Sequence, residues 1–257
     1  MSSPVQLRER AIAALAGVAI GDAMGMPTQT LSREEIAALY GPISSLRAAR
    51  PDQPVSAGLA AGTITDDTEQ SLLLARHLIT RNGRMDQRIW ADELMAWEEE
   101  TQARGVNDLL GPSTRHAITA LRQGVALAET GRSGRTNGAA MRIVPVAIAT
   151  PAEPLLALVD AVEESCRLTH HTSEAIGAAS AVAAVVSLGL TGVDLDGALE
   201  AGLAAARLGE ERGTAASAGS IHARISAALS LASTPGVDGL MLARQIGTSV
   251  AAHQSIP

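Results

Sequence analysis

Phenylalanine is absent from this chain, and two Trp and one Tyr leave aromatics at 1% of the residues. A sheet sandwich draws its core from aromatic and β-branched side chains, whereas the 49 alanines here, mixed with Leu, Val and Ile, suit closely packed helices. Lysine is absent too, since all 20 basic residues are Arg, which removes Schiff-base chemistry and the Lys of a nucleotide P-loop. A single cysteine, Cys166, cannot form an internal disulfide. The N-terminus lacks the charged, apolar and small-residue succession of a secretory signal, so the expected compartment is the cytoplasm. The longest apolar stretch, Ala175 to Leu190, is short for a bilayer and reads as a buried helix, with no membrane partner expected. Positive charge is in deficit as well: the formal net charge of −7 and a pI near 5.4 argue against a nucleic-acid partner.

What remains is a chain of 257 residues, 46% apolar and 18% charged, long enough to bury a core and apolar enough to fold. Helical periodicity runs through about ten segments divided by Gly, Pro, Ser and Asn, and no alternating strand pattern competes. The expected architecture is an all-α, multi-helix bundle in a single domain over 1–257, with no internal repeat. Leu7 to Met24, apolar on most faces, is expected to be a central helix packed on several sides. Ser32 and Glu35 form a capping-box pattern before a short helix, and 41–62, rich in Pro, Gly and Ser, reads as a surface loop. Further helices are expected from Thr65 through Leu78, and over 86–104, 113–122, 138–149, 154–167, 172–190, 195–208, 218–231 and 237–246, with Glu98, Glu99 and Glu100 as a solvated acidic face.

Three places can carry chemistry. In Thr65-Asp66-Asp67-Thr68 oxygen-bearing side chains follow one another where a loop enters a helix. One reading is a helix N-terminus, with Thr65 as cap and the acids favoured by the exposed N–H groups. The other is half of a hard-cation site, because adjacent carboxylates and a hydroxyl supply the oxygen ligands that Mg²⁺ or Mn²⁺ take. The second place is the Gly-rich run from Gly131 to Arg142, whose small residues admit a ligand close to the main chain, whose N–H groups can cradle a phosphate and whose Arg132, Arg135 or Arg142 can add charge. An ordinary connection with solvent-facing arginines fits it equally. The third is Thr169-His170-His171-Thr172, where His171 reads as structural and His170 stays open as a ligand contact, while Cys166 reads as a small core residue.

Together these segments resemble the ADP-ribosylglycohydrolase family. The resemblance rests on Gly17-Val18-Ala19-Ile20-Gly21-Asp22-Ala23-Met24-Gly25, on Thr65-Asp66-Asp67-Thr68, on Asn137-Gly138-Ala139-Ala140-Met141-Arg142, and on Thr169-His170 leading into Glu174, four motifs in order over nearly the whole chain. It implies an orthogonal bundle of helices around a dinuclear Mg²⁺ or Mn²⁺ site. The implied activity is hydrolysis of the glycosidic bond of an ADP-ribosyl group on a protein side chain or small molecule. Carried over by position, Thr65, Asp66 and Asp67 are metal ligands, with Asp66 and Asp67 serving catalysis. Asn137 and Gly138 line the diphosphate and ribose site, and His170 lies near the ligand. The family's C-terminal Asp-x-Asp-Thr motif does not occur, so the chain is expected to be a truncated member with weak metal binding, exposed apolar surface and a tendency to self-associate. Gln29 stands where several members have Glu, and Thr136 where many have Gly. Those departures leave two alternatives beside the leading reading: a hydrolase of another ribosyl or nucleoside compound, and an inactive binding or structural protein. Oligomeric state and acceptor are not legible.

Overall fold

The computed structural model describes residues 3–104, 110–215 and 219–257. The first seven helices are α1 (Pro4–Gly25), α2 (Arg33–Leu39), α3 (Asp66–Thr80), α4 (Gln87–Ala103), α5 (Pro112–Arg122), α6 (Leu127–Thr130) and α7 (Gly138–Met141). They are followed by α8 (Val144–Ala149), α9 (Leu155–Cys166), α10 (Ser173–Thr191), α11 (Leu195–Glu210), α12 (Ile221–Ala232), α13 (Gly239–Ile246) and α14 (Ala252–Ser255). No sheet occurs among the described residues, only two isolated bridges, Thr136 with Ala251 and Thr172 with Thr214. The all-α bundle expected from composition is the fold observed.

Local chemistry sets most helix starts. Ser32 accepts the Glu35 N–H at 3.2 Å while the Glu35 carboxylate accepts the Ser32 N–H at 2.7 Å, the reciprocal pair that the sequence pattern predicts. Asp86 opens α4 by accepting the Arg88 and Ile89 N–H groups, and Asp194 opens α11 by accepting that of Gly197. The stretch expected as one helix over 138–149 is two. Pro145 in the first turn of α8 has no N–H for the Met141 carbonyl and its ring crowds that carbonyl, so the chain breaks at Arg142 and Ile143. The Met141 carbonyl instead accepts the Ser71 hydroxyl at 3.3 Å, which ties the break to α3.

The centre of the bundle is α10, the stretch read as a buried helix. Ala175, Ala178, Ala179, Ala183 and Ala184 are all at most 1% exposed, and α1, α7, α8, α9, α11, α12 and α14 pack around the helix. Small side chains let two backbones meet. A Cβ on Gly209 of α11 would lie 2.9 Å from the Gly177 Cα of α10, so that crossing admits no larger residue. Leu158, Val159, Val162, Leu168 and Trp90 fill the space beside it, each fully buried aliphatic side chain contributing about 1.5–3 kcal/mol.

α1 corrects an expectation. It is not the central helix: Ala23 is its one buried residue, and Val5, Leu7, Ile12 and Ile20 stand exposed. Apolar residues occur on every side of it, which a periodicity argument reads as burial, but its contacts with α3, α8 and α10 leave only Ala23 fully covered. Glu98 corrects another, since it is buried against Arg122 at 2.8 Å while Glu99 and Glu100 face solvent as expected. The loop over 41–62 is irregular as read, yet it sends Ala49, Gln53 and Ser56 inward. Of the helix expected over 218–231, Ala218 lies outside the described residues and Ile221–Ala232 is helical.

Candidate functional site

The acidic motif enters α3 in an unexpected manner. Thr65 occupies the capping position but its side chain caps nothing. Asp22, at the far end of α1, does that work from a distance, accepting the Thr65 N–H at 2.8 Å, the Thr65 hydroxyl at 2.7 Å, the Thr68 N–H at 3.2 Å and the Thr68 hydroxyl at 2.5 Å. Three of these bonds fall on Oδ2 and one on Oδ1, and Asp22 lines the same cavity as Asp66 and Asp67. Glu69 is engaged too, receiving the Trp97 indole at 2.7 Å and both Arg104 nitrogens. Asp66 and Asp67 are left, relieved of any capping duty, and both line that cavity, of about 430 Å³.

Their electrostatics are those of a pair only partly compensated, Asp67 by the Thr65 hydroxyl at 3.5 Å. Burial, then repulsion from Asp67 and Asp22, pushes the Asp66 carboxyl up to about 8, with a hydrogen bond from its own backbone and then Arg142 only partly offsetting it. Burial and Asp22 push Asp67 up to about 6. Carboxylates raised in this way gain most from a bound cation, and the oxygen-only donor set has the hardness that Mg²⁺ or Mn²⁺ requires. Thr65 fits the same purpose, because a hydroxyl whose proton is given to Asp22 keeps its lone pairs, although it is fully buried and does not reach the cavity surface. The described residues hold no cluster of three or more His, Cys, Asp or Glu able to surround an ion, so these groups by themselves could supply only one side of a coordination shell.

A second wall comes from the Gly-rich loop. Thr136, Asn137, Gly138 and Met141 line the same cavity, joined by Leu110, Gly111, Pro112 and Thr114 at the start of α5 and by Val250. The loop is pressed onto the turn before α10: a Cβ on Gly134 would lie 1.9 Å from the Thr169 carbonyl oxygen, and one on Gly131 2.2 Å from that of Arg167. Asn137 donates its N–H to Val250 at 2.8 Å, holding the C-terminal segment against the loop. None of the three arginines considered for this loop adds charge to the cavity. Arg132 pairs with Glu129 at 2.9 Å, Arg135 is not among the lining residues, and Arg142 is buried completely.

His170 is placed behind this wall, not in it. It is fully buried and does not line the cavity, and Gly138 rests against its ring so closely that a Cβ there would be 2.8 Å from Nε2. A directional chain of hydrogen bonds fixes its protonation. Arg142, which can only donate, donates to Gln70 Oε1 at 2.6 Å and to Thr169 Oγ1. The Thr169 proton therefore goes to His170 Nδ1 at 2.8 Å, His170 Nε2–H donates to Thr136 Oγ1 at 2.9 Å, and Thr136 donates to Ser113 Oγ at 3.0 Å. Burial, with Arg142 adding to it, holds the imidazole well below its usual titration range, in keeping with that neutral tautomer. His171 turns outward to Glu163 at 3.0 Å, and Cys166 is a core residue whose thiol burial pushes up to about 12, as expected.

The cavity thus brings together Asp66, Asp67, Asn137 and Gly138, and leaves Thr65 and His170 one layer behind. Sequence reasoning missed the capping role of Asp22, for which its place in the Gly-Asp motif was the available signal. It also missed Leu110 to Thr114 and Val250, for which there was none.

Comparison with known proteins places the chain in context. A family model described as ADP-ribosylglycohydrolase matches residues 3–255. The uncharacterized protein YegU of Escherichia coli (strain K12) is 29% identical over 97% of this chain and 75% of its own length. The ADP-ribosyl-[dinitrogen reductase] glycohydrolase of Rhodospirillum rubrum is 33% identical over 66% of this chain and 54% of its own. The ADP-ribosylarginine hydrolase Tri1 of Pseudomonas putida (strain GB-1) is 31% identical over 75% and 50%. The matched region therefore spans about half the length of the two relatives with named activities. A solved structure titled ADP-ribosylglycohydrolase-related protein complex shares the fold, with a TM-score of 0.63 at 23% identity over 97% of this chain and 85% of that one. On the family match across nearly its whole length, this chain belongs to the ADP-ribosylglycohydrolase family.

Proposed function

We propose that the cavity is the active site of a hydrolase that cleaves the glycosidic bond of an ADP-ribosyl group on a protein side chain or small molecule, using Mg²⁺ or Mn²⁺. The observation that carries the reading is the meeting, in one cavity of a chain of this family, of two raised carboxylates with the Asn137–Gly138 loop. Names of relatives support the substrate class, since one acts on ADP-ribosyl dinitrogen reductase and another on ADP-ribosylarginine.

Asp66 and Asp67 would hold the cation, and Thr65, its proton taken by Asp22, would support them from beneath. When bound, the ion supplies Lewis acidity and an activated water for attack on an oxocarbenium-like sugar centre. The chain's own residues do the rest. Asp22 keeps the first turn of α3 in register, so the two carboxylates present their oxygens together. Arg142 and His170 hold the Thr136–Gly138 turn at a fixed height, and Gly138, lacking a Cβ, lets a ribosyl group approach the main chain.

The test is release of ADP-ribose from ADP-ribosylarginine by the 257-residue chain with and without Mn²⁺. Turnover that disappears on chelation and in Asp66→Asn plus Asp67→Asn supports the proposal; full activity of that double variant contradicts it. A second reading, hydrolysis of a ribosyl compound without a diphosphate, has its own support: no Arg or His side chain lines the cavity among the described residues, so two phosphates would find no cationic side chain there. Preference for a nucleoside over ADP-ribosylarginine in the same assay would favour it.

A further inference from the structure

Gln29 follows the single turn Met26–Thr28 that extends α1, and its side chain lines the cavity with Asp66 and Asp67. Behind it the coil over 50–58 winds around one buried carboxamide. Gln53 Nε2 donates to the Gln29 main-chain carbonyl at 2.6 Å, while Gln53 Oε1 accepts the N–H groups of Val55, at 2.6 Å, and of Ser56. Ser56, 1% exposed, donates its hydroxyl to Gln29 Oε1 at 3.2 Å.

That last bond orients the Gln29 amide. A buried hydroxyl proton needs an acceptor, and Gln29 Oε1 is the one that Ser56 Oγ has among the described residues. Turning the amide over would set a second donor against Ser56 and leave the hydroxyl proton unpaired. Nε2 makes no hydrogen bond to a described residue, and Gln29 is one of the residues that line the cavity. Ionised, as a bound cation would keep them, the carboxylates beside it only accept, and the Thr136 hydroxyl is already engaged at both His170 and Ser113. A sugar hydroxyl both donates and accepts, so a wall of carboxylates satisfies half of it.

We infer that Gln29 is a specificity-determining donor, fixed by Ser56 and Gln53 so that Nε2 hydrogen-bonds an acceptor oxygen of a ribosyl ligand, and that it gives no oxygen to a cation at Asp66 and Asp67. The ligand named here rests on the ribosyl reading of the cavity; the orientation of the amide does not.

The experiment is calorimetric titration of wild type, Gln29→Met and Gln29→Glu with Mn²⁺ alone and with ADP-ribose in the presence of Mn²⁺, together with side-chain amide exchange by NMR on the metal-free chain. Gln29→Met should weaken ADP-ribose about ten-fold, the loss of one hydrogen bond, while leaving Mn²⁺ within about two-fold. Gln29→Glu, which keeps both shape and the Ser56 bond, should weaken ADP-ribose further by turning an acceptor toward an acceptor. A ten-fold loss of Mn²⁺ affinity in Gln29→Met, or ADP-ribose binding in Gln29→Glu equal to wild type, overturns the inference. If wild type binds no ADP-ribose, the ribosyl reading fails and exchange alone decides the orientation. A Gln29 amide exchanging about ten-fold faster than the buried Gln53 amide upholds it, and a Gln29 amide as protected as Gln53 refutes it.

Discussion

Asp66 and Asp67, the proposed cation ligands, show the cost to stability that such a role carries. Both carboxyls are raised, Asp66 by burial and by Asp67 and Asp22, Asp67 by burial and by Asp22, so in the metal-free chain their ionised forms cost free energy that a neutral amide would not. Asp66→Asn is expected to raise the melting temperature of the metal-free protein at pH 8 by a few degrees while abolishing Mn²⁺ binding, read by scanning calorimetry and titration. His170 gives the opposite pH behaviour. Its folded pKa lies well below 6.5, so the unfolded chain takes up a proton first as the solution is acidified. Its contribution to stability is complete above pH 6.5 and is lost as pH falls toward the folded value. His170→Gln, which has no such proton to bind, should show a flatter melting temperature between pH 6.5 and 5 than wild type. The histidine itself was legible as a residue of interest, but its place behind Gly138 was not, because adjacency to Thr169 says nothing of which side of the loop the ring takes.

At the scale of the element, α3 depends on a residue 43 positions away in sequence from its first cap group. A local pattern offers Thr65 as cap, and the structure assigns that duty to Asp22, whose four hydrogen bonds are worth more than one hydroxyl could supply. Asp22→Ala is expected to destabilise the protein by about 3 kcal/mol in denaturant unfolding, by leaving the Thr65 and Thr68 groups without acceptors. The glycines divide in the same way. Gly134→Ala drives a Cβ into the Thr169 carbonyl and should cost about 3 kcal/mol, whereas Gly17→Ala meets nothing within 4 Å and should stabilise α1 by about 0.5–1 kcal/mol. Sequence alone does not separate them, since both sit in Gly-containing motifs and differ only in what crosses over them.

At the scale of the molecule, the distribution of apolar surface is lopsided. α10 is wrapped by seven helices, α1 among them, while α1 itself leaves Val5, Leu7, Ile12 and Ile20 in water. At 3.6 residues per turn Val5, Ile12 and Ile20 share one side of α1, with Leu7 across from them, and exposed apolar side chains on a shared side promote association. Replacing Ile12 and Ile20 together by Gln should lower light scattering at a given protein concentration without shifting the melting temperature by more than about one degree, since neither residue is buried.

Composition determined the helical class of this protein by itself, because alanine-rich, aromatic-poor chains gain most from closely packed helices, and the Ser-x-x-Glu and Asp caps set helix starts through bonds that span three residues. Nearness in the chain is enough for such bonds. Which helix lies at the centre, which residue caps α3, and on which side of the Gly-rich loop His170 sits were decided only by the tertiary structure. Each depends on contacts between segments far apart in sequence, and periodicity reports that a face is apolar without reporting what covers it.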